Sequence, residues 1–204
     1  MTSQLAPEIA ERITRLSKPD TRIFVAIAGP PGAGKSTLSE TLKGALEGAE
    51  ILPMDGFHLD NETLRQKSLL ARKGAPQTFD TAGLLALLET AKVGGAVSVP
   101  VFDRDADCVV PGGGMIFTHT RIILVEGNYL LLNTPGWQEM QRFWDLTLFI
   151  DVPDDELETR LLRRWLDHGL SPEDALRRYR ENDALNVRVV KQHSSAAEFV
   201  VRQT

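Results

Sequence analysis

A chain of 204 residues, 42% hydrophobic and 25% charged, carries enough apolar material for a core that needs no staples, which excludes disulfide miniproteins, fibrous repeats and wholesale disorder. Its 23 basic and 28 acidic side chains give a formal charge of −5, so no global positive field draws it to nucleic acid or an anionic membrane. Cys108 is the only cysteine, no apolar run approaches the roughly 18 residues a membrane helix needs, and Glu8 and Glu11 interrupt any secretory signal; the expectation is a cytoplasmic protein.

Leu5, Ile9, Ile13 and Leu16 recur at helical spacing, with Pro7 suited to a first turn, and predict an amphipathic helix over 7–17. The run RIFVAIA at 22–28 is short, branched and apolar, as a strand buried on both faces of a parallel sheet should be. Segments 51–54, 121–125 and 146–152 look the same, and 198–202 is a shorter fifth candidate. Helical patterns at 36–47, 81–92, 136–143, 154–168 and 171–182 fall between them. This alternation predicts an α/β fold of three layers, with helices on both faces of a five-stranded parallel sheet, as one domain over 1–204. Residues 55–80 and 100–118 break the rhythm with polar and turn residues, and long irregular insertions of this kind predict binding loops.

Directly after the first strand stands GPPGAGKS, Gly29 to Ser36, which fits G-x-x-x-x-G-K-[ST] and opens onto a helical run. Gly29, Gly32 and Gly34 let the backbone curl around an anion. With Pro30, Pro31, Ala33 and Thr37 they complete a cradle whose inward N–H groups and helix N-terminus favour a polyphosphate. Lys35 is the expected contact to the β and γ phosphates, and the Ser36 hydroxyl an expected Mg²⁺ ligand. Glu126 closes the apolar run IILVE and is the candidate second oxygen ligand for the metal; the alternative is a solvated acid at a strand end.

Asp55, in PMDGFHLDN at 53–61, falls at the carboxyl end of the second strand, where an α/β sheet exposes reactive groups. A carboxylate there can take the proton of an alcohol that attacks the γ-phosphorus, although Asp55 and Gly56 also suit a plain turn. Arg160, Arg163 and Arg164, followed by Arg177, Arg178 and Arg180, could close over the phosphate as a lid across 160–182, with Arg160 and Arg164 first. The neighbouring acids could equally pair them on a solvated helix. DTAG at 80–83 and SKPD at 17–20 imitate GTPase motifs but stand in the wrong places. His119, His168 and His193 read as surface residues, His58 gains interest from its place three residues after Asp55, and Trp137, Phe143 and Trp144 read as packing against the sheet.

Taken together, GPPGAGKST at 29–37, MDGFH at 54–58, RKGAPQTFD at 72–80, PVFDR at 100–104, VEGNYLLL at 125–132, RLLRR at 160–164 and ENDALN at 181–186 resemble the P-loop kinases of the phosphoribulokinase, uridine kinase and bacterial pantothenate kinase family. In its short form the chain looks like the family's fructose transport system kinases, or fructokinases. The resemblance implies strand order 2-3-1-4-5, ATP and Mg²⁺ as cofactors, and phosphorylation of a hydroxyl on a small metabolite. It matches Asp55 to the catalytic aspartate and the 160–164 arginines to a lid. Uridine kinases carry a tyrosine and a histidine where this chain has Phe102 and Asp107, and pantothenate kinases a histidine in place of Arg104. The expected acceptor site, Asp55, His58, Arg72, Phe102, Asp103 and Arg104, has many hydrogen-bonding groups and little aromatic surface, which suits a sugar such as fructose. A nucleoside or pantothenate-type kinase, and a regulatory or transport-associated ATPase, are the alternatives; the sequence leaves the oligomeric state, homodimer included, and the choice of ATP or GTP open.

Overall fold

The computed structural model describes residues 2–19 and 21–203, with side chains from residue 6 onward. Five strands, β1 (Ile23–Ala28), β2 (Ala49–Pro53), β5 (Ile122–Gly127), β6 (Leu146–Asp151) and β7 (Phe199–Arg202), form one parallel sheet in the order β2-β5-β1-β6-β7. Counted among themselves these strands stand in the order 2-3-1-4-5, as expected. β1 is buried along its whole length because both of its faces are covered. Phe24, Ala26 and Ala28 face one layer, with Leu84 and Leu88 of helix α4 (Thr81–Val93), Tyr129 and Trp137. Val25 and Ile27 face the other, with Ile9 and Ile13 of α1 (Thr2–Leu16), Leu38 and Leu42 of α2 (Lys35–Ala45), and Leu157 and Leu161 of α5 (Asp154–Asp167). Two-residue alternation on a strand thus meets helices on both sides. Among the described residues no helix is long and apolar enough to cross a membrane.

The largest departure from expectation lies at 100–118, which is not an irregular loop. β3 (Val97–Asp103) and β4 (Cys108–Ile116) form an antiparallel hairpin with a bulge between Val99 and Val101. The triple glycine reads as a turn, but it sits inside β4 because valines of β3 crowd it: a Cβ on Gly114 would come 2.8 Å from Val99 Cγ2. The 55–80 insertion likewise holds structure, with α3 (Asn61–Gln66) between the 3₁₀ turns Met54–Phe57 and Leu70–Arg72.

Smaller corrections follow from local chemistry. α1 begins upstream of the prediction and takes Pro7 inside it, while the side chain of Leu5 and the residue Asp20 of SKPD lie outside the described residues. Residues 138–143 are a 3₁₀ helix that buries Met140 and Phe143. The predicted helix at 171–182 is α6 (Pro172–Arg178) followed by a single π turn, Tyr179–Asp183, from which α7 (Ala184–His193) continues. α7 is rich in weak helix formers, Asn and β-branched Val, which hid it from the hydrophobic pattern. DTAG is a helix cap, with Asp80 Oδ1 accepting from the Gly83 amide at 2.9 Å.

Candidate active site

The carboxyl ends of β1, β2 and β5 lie side by side, and the turns that leave them meet around one cavity of about 430 Å³. The cradle supplies one wall. Gly32 and Gly34 adopt positive φ of 80° and 85°, which glycine takes without the strain a Cβ brings, and Gly34 leads into α2. Pro31, Gly32, Gly34, Lys35, Ser36 and Thr37 line the cavity. Ala33 is buried beneath them among the core residues of that face.

The Lys35 ammonium is almost buried and uses its three protons on Gly29 O at 3.1 Å, Pro30 O at 3.0 Å and Asn128 Oδ1 at 2.6 Å. Burial pulls its pKa down to about 8, against the attraction of Glu126 and Asp55. Ser36 Oγ donates to Glu126 Oε1 at 3.2 Å. Register explains the meeting, because Glu126 pairs with Ile27 on one side and Pro53 on the other and so stands between the cradle and the turn that carries Asp55. Burial raises the Glu126 pKa although Lys35 opposes the shift.

Asp55 follows β2 in the 3₁₀ turn whose flanking Met54 and Phe57 are anchored in the core. Arg104, from the tip of the β3–β4 hairpin, donates to Asp55 Oδ2 at 2.6 Å. His58 Nδ1 lies 2.8 Å from the Asp55 carbonyl oxygen, and its ring sits between Phe79 and Phe102 with centroid distances of 4.1 and 4.6 Å. Burial lowers the His58 pKa. Asp55, His58, Phe102 and Arg104 therefore share the cavity with the cradle.

Three of the expected site residues point elsewhere. Arg160 pairs with Glu156 and donates to Gly32 O at 3.3 Å and Gln203 Oε1 at 2.9 Å, bracing α5 against the outside of the cradle. Arg72 donates to Glu181 O and Asn186 Oδ1. Asp103 Oδ1 caps the hairpin turn by accepting from the amides of Asp105 and Ala106. Of the six arginines from 160 to 180 only Arg164 and Arg178 line the cavity; Arg163 and Arg180 are exposed and Arg177 pairs with Asp174. His119, His168 and His193 are exposed, and Trp137 and Phe143 are buried in the core with Trp144 packed against it, as expected.

The cavity also contains residues that sequence reasoning missed. Asn128 directly follows the EG pair. Lys73 bridges α3 to the hairpin through Asn61 Oδ1 at 2.8 Å and Asp107 Oδ1 at 2.8 Å, and lies 5.0 Å from the centre of the Phe102 ring. Asn182, Asp183 and Asn186 enter from the π turn and α7, and Trp165 from α5. Asn182 and Asn186, four residues apart on a continuous helical path, were the legible signal: a polar pair on one face beside buried valines. Tyr129, whose phenol burial holds above its usual pKa, donates to Gly74 O at 2.5 Å and fixes the segment that carries Lys73.

The sequence profile of the phosphoribulokinase/uridine kinase family matches residues 24–204. The chain is 35% identical over 192 residues to YggC of Escherichia coli K12, a protein described as uncharacterized, covering 91% of this chain and 80% of that one. It is 29% identical over 165 residues to a pantothenate kinase of Levilactobacillus brevis, covering 76% of this chain and 54% of the longer relative. A crystal structure from Silicibacter sp. TM1040, whose provisional assignment is fructose transport system kinase, superposes with a TM-score of 0.92 at 40% identity and covers 96% of this chain and 98% of that one. A phosphate cradle at the head of a 2-3-1-4-5 sheet, matched over nearly the whole length by this profile, places the chain in the phosphoribulokinase/uridine kinase family of P-loop small-molecule kinases.

Proposed function

We propose that the protein is a kinase that transfers the γ-phosphate of ATP to a hydroxyl of a small polyhydroxylated metabolite, a sugar such as fructose. The observation that carries this reading is the single cavity in which Lys35, Ser36 and Glu126 face Asp55, His58 and Arg104. Asp55 Oδ2 is held by Arg104, which leaves Oδ1 to receive the proton of the attacking hydroxyl. The alcohol oxygen forms the new bond to the γ-phosphorus, the bridging oxygen leaves with its electron pair on ADP, and the proton passes to Asp55. Lys35 and Arg164 neutralise charge on the transferring group. Arg160, bonded to the Gly32 carbonyl, has a bracing role, and α5 together with the π turn serves as the lid.

Ser36 Oγ and the Glu126 carboxylate are hard oxygen donors at one place, and the half-buried acid lacks a full counter-charge, so the pair suits Mg²⁺. When bound, that ion would withdraw charge from the phosphate oxygens. The aromatic rings that line the cavity are already partnered, Phe79 and Phe102 by the tilted His58 ring, Phe102 also by Lys73, and Trp165 by Arg164 and Arg178. Hydrogen-bonding groups remain, which favours a sugar over a base that must stack. The fructose-related assignment of the Silicibacter protein agrees with this reading.

The test is ADP release measured with ATP alone and with a panel of sugars, nucleosides and vitamins. The expected result is near silence without an acceptor and turnover with a polyol. Steady hydrolysis that ignores every acceptor would favour an ATPase instead.

A further inference from the structure

Arg164 and Arg178 reach the cavity from different helices, α5 and α6, yet their guanidinium carbons each lie 5.2 Å from the centre of one ring, that of Trp165. Among the described residues neither guanidinium forms an ion pair, whereas Arg160, Arg163 and Arg177 beside them do. Burial lowers the Arg164 pKa, with Asp55 and Asp183 as the opposing charges. The half-buried Trp165 ring is itself fixed by its edge: Nε1 donates to Asp183 Oδ2 at 2.6 Å. Asp183 is 7% exposed at the end of the π turn. The extra residue of such a turn rotates the following side chains, and single π turns recur at functional sites. Here it delivers Asp183 to a tryptophan 18 residues earlier.

We propose that Trp165 and Asp183 are positioning residues for the γ-phosphate. Asp183 holds the indole plane, the indole seats both guanidiniums against its π system, and the pair thereby serves the cavity that Lys35 and Asp55 share. A guanidinium on an indole face is stabilised while its N–H groups stay free for another partner. A carboxylate bonded directly to either arginine would consume those donors. The arrangement keeps two cations on one ring and unspent, with the Asp183 charge at that ring's edge. The third phosphate, and not the first two, is what this device would sense.

The inference rests on the kinase reading, and the test separates the two. Equilibrium dissociation constants are measured for ADP and for β,γ-imido-ATP with wild type, Trp165→Phe, Asp183→Ala and Asp183→Asn. The expected result is that Trp165→Phe and Asp183→Ala each weaken the triphosphate analogue by about fivefold relative to ADP, because both cation–π contacts lose their alignment together, while ADP affinity stays within twofold. Asp183→Asn keeps an acceptor for the indole N–H and should fall between them and wild type. With 5-fluorotryptophan label, the ¹⁹F resonance absent from Trp165→Phe should move with the analogue and not with ADP, while those of Trp137 and Trp144 stay. Variants that keep the wild-type ratio of the two affinities, or lose both affinities equally, would overturn the proposal in favour of a merely structural contact. If Asp183→Ala does not fold, Trp165→Phe decides alone, because it keeps an aromatic ring at that place while removing the N–H that Asp183 holds. Wild-type protein that binds neither nucleotide would overturn the kinase reading and this inference with it.

Discussion

Lys35 is the residue whose chemistry is most exposed to measurement. Its ammonium is desolvated and its pKa lies at about 8 without nucleotide, so near neutral pH it is charged and ready to meet a phosphate. Above that value the free protein loses the proton that the complex needs. Nucleotide affinity should therefore hold below pH 8 and fall as pH rises through it, by up to about tenfold per unit. Calorimetric titration with ADP from pH 6.5 to 9.5 checks this, and Lys35→Ala should bind weakly with a flat profile. The cradle, Lys35, Ser36, Glu126 and Asp55 were legible because each is fixed by a local rule: a glycine-rich turn or the end of an apolar strand. Arg160 and Arg164 were not separable, because four residues on a helix set both on a similar face and only the packed cradle shows that one reaches Gly32 O and the other the cavity.

The element that most shapes the proposed acceptor side is the β3–β4 hairpin, which presses on the turn carrying Asp55. A Cβ on Gly56 would lie 2.2 Å from the Pro100 carbonyl oxygen, so strand and turn cannot both stay in place. Gly56→Ala should cost about 1–3 kcal/mol and lower activity beyond that loss by displacing Asp55 from Arg104. Gly44→Ala on α2 meets nothing within 4 Å and should be neutral or stabilising by up to about 1 kcal/mol. Urea denaturation of the two variants gives the comparison. The five central strands could be read from the sequence because each is a short apolar run between turns. The hairpin could not, since VVPGGGMI carries the composition of a loop and becomes a strand only where Val99 and Val101 take up the space its glycines leave. The π turn was equally hidden, because no local preference marks it and the burial of its Asn182 and Asp183 depends on neighbours far along the chain.

At the scale of the whole molecule, both faces of the sheet are sealed by helices and the reactive groups gather where the strands end. Nucleotide bound there contacts only the folded chain. At 100 times its Kd it should stabilise by about 2.7 kcal/mol, a rise in Tm of roughly 5–10 °C for a chain of this size, and Lys35→Ala should lose most of that rise. Order and direction of the strands followed from the alternation of elements and from the family resemblance, while the shape of the acceptor wall depends on contacts between segments far apart in sequence, such as Lys73 with Asp107 and Arg72 with Asn186. In the proposed reaction, cradle and carboxylate act on one substrate pair. Phosphorus NMR of ATP incubated with the protein and a polyol panel decides this: a phosphate monoester should grow in step with ADP, slowed by about 10² or more in Asp55→Asn with ATP affinity kept, whereas inorganic phosphate alone, or an Asp55→Asn variant as fast as wild type, would refute the shared role.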